Sequence, residues 1–188
     1  TPKMNKLKTS DSSILYLSLK QIRQLIRSID DARDKLMIRI LYESGCTLIE
    51  LTNIKVKDIN GNKIKIFNPE NREIRFSFIS SKLAKDLRLY ILGNNLKKNS
   101  NIIATRQSSS ISEKRIRQII QMHTKRVFLE KINPQSFRYF HIAHAYKNGV
   151  LLESISRQIG ITTFRIFKIL SELNISPSQN YNQFLKKV

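Results

Sequence analysis

The stretch "ILYESGCTLIELTNIKVKDI", residues 40–59, decides much of the fold, because it ends one helix and begins another within a few residues. Gly45 follows an apolar helical pattern that starts near Asp30, and glycine commonly ends a helix in the left-handed conformation. Thr47 and Glu50 then have the spacing of a capping box, in which each side chain binds the other residue's backbone amide. The stretch predicts a long buried helix, a tight break and a short second helix.

Helical patterns continue on both sides of this stretch. Ser18 and Gln21 repeat the capping-box spacing before an amphipathic segment, and Ser110 with Glu113 is the predicted cap of a later one. The remainder, from residue 134 onward, is a series of short helical patterns with breaks at Gly149 and Gly160. Helices therefore make up most of the predicted structure.

The predicted strands lie in residues 63–67, "KIKIF", and 72–78, "REIRFSF", which alternate with period two. Residues 68–71, "NPEN", have the composition of a hairpin turn. The predicted fold class is mainly α with a small antiparallel β-hairpin or sheet. The residues expected to face outward from it are Lys63, Lys65, Arg72 and Arg75.

The charge of the chain points to a polyanionic partner. The 188 residues include 34 Lys and Arg against 14 Asp and Glu, a formal net charge of +20 with a pI near 10.3. Such an excess favours nucleic acid, and 40% hydrophobic residues suffice for a core. We expect a flexible basic tail at 1–15, one DNA-binding domain at 16–175 and a C-terminal tail or helix at 176–188.

Several classes of site are disfavoured by the same composition. Cys46 is the single cysteine, which excludes an internal disulfide and a zinc cluster. His141 and His144 share a helical face without an evident third ligand, and the five glycines form no phosphate-cradling loop. We predict no metal and no cofactor. Since no apolar run reaches membrane length, we expect a cytoplasmic, nucleoid-associated or chromosome-associated protein without a membrane partner.

The helical pattern at residues 112–127 carries a basic face with no acidic residue after Glu113 to balance it. Such a face is often merely solvated, but here a phosphate-facing surface is at least as well supported. The predicted DNA-binding residues are Lys55, Lys57, Arg72, Arg75, Lys114, Arg115, Arg117, Lys125, Arg126 and Arg138.

The order of these segments resembles the catalytic domain of the tyrosine recombinase, or phage integrase, family from about Tyr16 to Phe184. "YLSLKQIRQLIRSIDDARDKLMIRILYESG" is similar to that family's first two helices, and residues 40–59 to its first active-site box. "NPENREIRFSFI" stands where its hairpin stands, and "INPQSFRYFHIAHAYKNGVLLESI" is similar to its second box. The resemblance implies a tyrosine-recombinase-like fold that binds DNA.

The resemblance also implies which residues should carry the chemistry. In the family a tyrosine attacks a DNA phosphate, two arginines hold the phosphate oxygens, and a histidine with a hairpin lysine manages protons. The first arginine falls on Thr47, the histidine on Gln135 and the lysine at or near Arg72. Arg138 alone matches its counterpart.

The position of the nucleophile is ambiguous. The family's glycine-histidine step corresponds to Gly160 and Ile161, and without gaps the tyrosine position then falls on Leu170. The segment "NISPSQNYNQF" nevertheless resembles the family's tyrosine segment, which makes Tyr181 the counterpart after an insertion. The candidate catalytic residues are therefore Arg138, Tyr181 and Arg72.

We predict a degenerate recombinase, a pseudoenzyme that binds double-stranded DNA, as a possible homo-oligomer, without cleaving it. One alternative is an active integrase, a DNA recombination enzyme that uses Tyr181, even on a neighbouring subunit. Another is a helix-turn-helix regulator built from "LLESISRQIGITTFRIFKILSELNI", with Thr162, Thr163, Arg165 and Lys168 exposed. A third is a structural or RNA-binding protein that relies on charge alone.

Overall fold

The computed structural model describes residues 16–104 and 110–175, and within them the mostly helical fold with a small antiparallel sheet is confirmed. The described elements are α1 (Leu19–Arg27), α2 (Ala32–Ser44), α3 (Leu48–Asn53), a 3-10 turn (Val56–Asp58), β1 (Ile59–Asn60), β2 (Lys63–Phe67), β3 (Ile74–Phe78), α4 (Ser81–Gly93), α5 (Glu113–Phe128), α6 (Gln135–Lys147), α7 (Leu152–Ile159) and α8 (Thr163–Glu172). The tails predicted at 1–15 and 176–188 lie outside the described residues. Among the described helices, none has the length and apolarity needed to span a bilayer.

The helix beginnings follow the capping patterns with one exception. The capping boxes of Ser18 with Gln21 and of Thr47 with Glu50 are both formed. The expectation that Ser110 caps α5 is wrong, because the first helical residue is Glu113 and the preceding Ser112 accepts the amide hydrogen of Arg115. The cap thus lies directly before the first turn, where its hydroxyl reaches an unpaired amide.

The three strands pair in the order β1-β2-β3, and all pairs are antiparallel. Lys63, Lys65 and Phe67 of β2 share one face with the exposed apolar residues of β3, Ile74, Phe76 and Phe78. The opposite face carries Ile64 and Ile66 of β2 and Arg75 and Ser77 of β3.

Arg75 therefore points inward, and the expectation that it faces outward with Lys63 and Lys65 is wrong. The alternation in "REIRFSF" suggested that the apolar residues are buried. The register with β2 reverses this pattern, because Ile64 and Ile66 must face the core.

Helix α6 connects the two hydrophobic clusters of the fold. Phe137 and Phe140 pack into the larger cluster formed by the N-terminal helices and the sheet. Ile142 and Ala143 pack into the smaller cluster formed with α7 and α8. Arg138 follows Phe137 on α6. Because α6 packs into both clusters, the backbone at Arg138 is held in place.

Candidate nucleic-acid interface

The break between α2 and α3 lets the end of α2 lie close to α6 and α7. Gly45 ends α2 in the left-handed conformation, with φ of 62°. A Cβ atom at Gly45 would collide with Ile159 of α7 and would lie 3.9 Å from Cγ of Arg138. The positive φ favours glycine, and a side chain here would also force the end of Ile159 to move.

Glu50 is the buried acid at the centre of the site, with 1% of its surface exposed. Its Oε2 atom accepts the Thr47 amide hydrogen at 2.8 Å, completing the capping box. Nη1 of Arg75 donates to Oε1 at 2.5 Å and Nη2 to Oε2 at 2.8 Å. Burial alone would raise the pKa of Glu50, but the hydrogen bonds and charge of Arg75, then the Thr47 amide and Arg138, hold it below its usual value.

Arg75 reaches Glu50 from the inner face of β3, past α7. Its Nε atom donates to the Gln158 carbonyl at 3.3 Å. A Cβ atom at Gly160 would lie 2.8 Å from Cδ of Arg75, so the glycine after α7 leaves the space that the arginine occupies. Gln158 also fastens α7 to β3, because its side-chain amide exchanges hydrogen bonds with the backbone of Phe78.

Arg138 is the second guanidinium near Glu50. Its Nη1 atom lies 3.9 Å from Oε2 of Glu50, and Nη2 donates to the Ile159 carbonyl at 3.0 Å. Nη1 is buried and has no hydrogen-bond partner among the described residues. Burial, opposed by the charge of Glu50 and reinforced by that of Arg75, lowers the pKa of Arg138. An arginine so placed retains donors for an anion.

Arg138 lines a cleft of about 210 Å³ between α2, α3, α5, α6 and the hairpin turn. The other polar side chains that line it are Thr47, Glu70, Glu113, Arg117, Asn133 and Gln135. The hydroxyl of Thr47 accepts the Glu50 amide hydrogen, and the amide nitrogen of Gln135 donates to the Tyr139 hydroxyl at 3.3 Å. Thr47 carries no charge and Gln135 has no titratable proton; the match of these positions to an arginine and a histidine is what the sequence resemblance implies.

The other predicted catalytic positions lie apart from Arg138 or outside the described residues. Arg72 is exposed on the hairpin turn in the left-handed conformation, with φ of 59°. Ile161 is half-buried, and Leu170 is fully buried in the smaller cluster. Tyr181 lies beyond residue 175. In the described part of the chain, the structure brings together only Arg138, Thr47 and Gln135 of the family positions.

The basic face of α5 is exposed, and one of its residues reaches the cleft. Lys114, Arg115, Arg117, Lys125 and Arg126 are all exposed. Arg117 lines the cleft with Arg138, whereas Arg126 donates to the Ser28 carbonyl at the end of α1. The helix thus forms one wall of the site.

Lys55 and Lys57 do not join this wall. Both follow the C-terminal end of α3, whereas Thr47 precedes its first residue. The amide of Lys57 donates to the Lys98 carbonyl. Their predicted role in DNA binding stays a prediction.

A larger groove of about 1220 Å³ lies away from this cleft, between α1, α2, α4 and α6. Tyr42 and His144 line it and share a hydrogen bond of 2.9 Å. Burial is the main cause that lowers the pKa of His144 to about 4. No three metal-binding side chains cluster anywhere in residues 16–104 or 110–175. Arg39, the buried arginine that lines this groove, is paired with Glu43 and Asp86.

The helix pair α7 and α8 has the turn expected for the helix-turn-helix interpretation, with Gly160 at φ of 76°. Thr163, Arg165 and Lys168 are exposed on α8. Thr162 is exposed as well, and its side chain caps α8 by accepting the Arg165 amide hydrogen. Because Gln158 fastens α7 to β3, the pair is an integral part of the larger fold.

Sequence comparison finds one family over most of the chain. The model of the phage integrase family matches residues 16–169. Tyrosine recombinase XerC of Staphylococcus epidermidis is 27% identical over 166 residues, which cover 83% of this chain and 52% of that protein. Tyrosine recombinase XerA of Pyrococcus horikoshii is 23% identical over 177 residues, covering 91% and 57%. The chain thus spans about half the length of these relatives.

Comparison with solved structures finds the same fold. The XerA recombinase superposes with a TM-score of 0.77 at 18% identity, covering 92% of this chain and 65% of that one. XerH recombinase, bound to its difH substrate, gives 0.70 at 17% identity over 83% and 49%. The catalytic domain of bacteriophage HP1 integrase gives 0.62 at 20% identity and covers 87% and 89%.

Proposed function

The chain belongs to the phage integrase family, and we propose that it binds double-stranded DNA without cutting it. The observation that carries this proposal is the state of the cleft around Arg138. Arg138, the residue matched to the family, is buried there, and its Nη1 atom has no hydrogen-bond partner among the described residues. Thr47 and Gln135 line the same cleft at the positions matched to an arginine and a histidine. Among the described residues, the cleft keeps a donor for a phosphate oxygen and has neither an arginine at position 47 nor a histidine at position 135.

The replaced groups have different roles in the reaction. Losing one preorganised donor to a developing oxyanion costs roughly 2.7–4 kcal/mol, or about 10²–10³ in rate. Gln135 cannot titrate, and Arg72 is too basic to release a proton readily. Such losses do not add simply, but both charge stabilisation and proton transfer are weakened here. We therefore propose that cleavage is lost.

Binding is supported by charge and by the structural neighbours. The chain has a net charge of +20, and the basic side chains of α5 are exposed beside the cleft. The XerH neighbour was determined on a DNA substrate, and λ integrase, with a TM-score of 0.65, as a dimer on a core site. We propose that this chain also binds DNA and that it does so as a homo-oligomer.

DNA binding is tested by measuring the affinity for a short mixed-sequence duplex at several salt concentrations. The logarithm of the binding constant should fall linearly with the logarithm of the salt concentration, by about 0.9 for every phosphate contact. Replacement of Arg138 by Met should lower the slope by about 0.9, because one phosphate contact is removed. An unchanged slope would remove Arg138 from the interface.

Arg39→Met is the matched control. Arg39 is also a buried arginine, 6% exposed, but it pairs with Glu43 and Asp86 away from the cleft. It should lose stability without losing a phosphate contact. Measured side by side, the two variants separate a general loss of folded protein from a loss at the interface.

A further inference from the structure

We propose that Arg75 supplies the second guanidinium of the phosphate site, in place of the arginine that the family has where this chain has Thr47. The inference rests on the proposed DNA binding at Arg138 and adds a residue to it. The replacement comes from β3 rather than from the start of α3, and it pairs with the buried carboxylate of Glu50.

The buried carboxylate of Glu50 needs a basic partner. Thr47 has no charge, so the residues that begin α3 leave the buried carboxylate of Glu50 without a basic partner from that helix. An unpaired buried carboxylate is costly, which requires a cation from elsewhere. Arg75 is that cation, with both terminal nitrogens on the two oxygens of Glu50.

Stability alone is a weak reason for this pair. A buried ion pair is often replaced by apolar residues without loss, because desolvation offsets the attraction between the charges. The same face of the sheet is otherwise formed by Ile64, Ile66 and Ser77. A long charged side chain on that face is better explained by a use for its charge.

The second guanidinium lies beside the same oxygen. Oε2 of Glu50 is 2.8 Å from Nη2 of Arg75 and 3.9 Å from Nη1 of Arg138. Two arginines that share one carboxylate carry a net charge of +1, which complements the single negative charge of a phosphodiester. Paired guanidinium groups are well suited to hold the oxygens of a phosphate.

Arg75 also retains donors and access. Its Nε hydrogen is bound by Gln158, and each Nη atom uses one hydrogen for Glu50, so that each keeps a second one. The side chain of Arg75 is 13% exposed and that of Glu50 is 1% exposed. The side chain of Arg75 thus keeps some exposure to solvent, whereas that of Glu50 has almost none.

The decisive variant is the double substitution Glu50→Gln with Arg75→Met. It removes one acid and one base, which leaves the net charge at +20. A glutamine at position 50 can keep the capping box, as Gln21 does with Ser18 at the start of α1. Arg39→Met with Glu43→Gln is the control, because it removes a comparable ion pair away from the cleft at constant charge.

Affinity for a short duplex across a salt series, measured on the whole chain, tests the proposal. The Glu50→Gln/Arg75→Met variant should bind roughly tenfold to a hundredfold more weakly, as expected for lost hydrogen bonds to a charged group. Its salt slope should fall by about 0.9. The control pair should change neither quantity. Wild-type affinity and slope in the test variant would overturn the proposal, since Arg75 would then only neutralise Glu50.

A second variant returns the arginine to α3. Thr47→Arg with Arg75→Met keeps Glu50 and the net charge, and it should recover most of the wild-type slope if the two positions are equivalent. If the salt slope does not recover, an arginine at position 47 and one at position 75 are not equivalent, even if the first variant binds weakly. Absence of salt-dependent binding in the wild-type chain would instead reject the proposed function as well.

Discussion

Nη1 of Arg138 lies 3.9 Å from Oε2 of Glu50, an oxygen that already accepts a hydrogen bond from Arg75. Glu50, near the start of α3, thus lies within reach of two arginines. The buried acid was recognised in the sequence only as a helix cap, and its larger role is electrostatic.

Replacement of Glu50 by Ala should destabilise the fold by about 3–5 kcal/mol, because removing one partner of a buried ion pair leaves the other unpaired. Urea unfolding followed by circular dichroism measures the change. Glu130→Ala, at an exposed residue, should stay within about 0.5 kcal/mol of wild type. A Glu50→Ala variant as stable as Glu130→Ala would contradict the central place given to Glu50.

The sequence predicted the helical elements because their caps and apolar periods are local signals. Thr47, Glu50 and Gly45 are close in sequence, and their chemistry alone defines the end of α2 and the beginning of α3. The orientation of β3 was not accessible in this way. Its alternation suggested that Ile74, Phe76 and Phe78 are buried, whereas pairing with β2 leaves them exposed.

The family pattern singled out Arg138 and Gln135, and the structure places both in the lining of one cleft, while their roles stay predictions. The place of Arg75 was not predictable, because its partner Glu50 lies 25 positions away and in another element. The sequence showed only that the polar residues Arg75 and Ser77 alternate with the apolar residues of β3. One of the two faces of the strand had to be polar, and only tertiary contacts decide which face is buried.

Glu70 lines the cleft with Arg138 and places a negative charge near the proposed phosphate position. Replacement of Glu70 by Gln should strengthen duplex binding by about twofold to fivefold at low salt, because a repulsive exposed charge is removed. Glu130→Gln is the matched control, since it changes the net charge equally away from the lining of the cleft. Equal effects of both substitutions would indicate that only overall charge matters.

The two DNA-binding surfaces under consideration can be separated by charge reversal. Lys114 and Arg117 on α5, and Arg165 and Lys168 on α8, are exposed pairs with the same helical spacing. Replacing either pair by Glu changes the net charge by the same amount. We expect the α5 variant to bind a duplex at least tenfold more weakly than the α8 variant in a shift assay, since two repulsive charges then face phosphates. The reverse order would favour the helix-turn-helix interpretation.

The stability of the fold should fall on acidification because of His144. The lowered pKa of about 4 is below the ordinary value of 6.5, so between these pH values the unfolded chain binds a proton that the folded chain does not. The free energy of unfolding therefore decreases as pH falls from about 6.5 to about 4. Burial also lowers the pKa of His141, which acts in the same direction.

Replacement of His144 by Asn should flatten this pH dependence, because the amide oxygen can still accept the Tyr42 hydroxyl hydrogen and does not titrate. Urea unfolding at several pH values gives the slope. The lowered pKa of Glu50 adds stability that is present above its unfolded value of about 4.5 and is lost as pH falls below that value. Equal slopes above pH 5 in wild type and His144→Asn would contradict the assignment to His144.

We propose that this member of the phage integrase family binds DNA without cutting it. The most direct measurement is incubation of the whole chain with supercoiled plasmid and a labelled duplex, followed by a denaturing gel and a native shift assay on the same samples. We expect a salt-sensitive shift with no covalent protein–DNA band. A covalent band that is lost on Tyr181→Phe would contradict it and would identify the chain as a working recombinase domain.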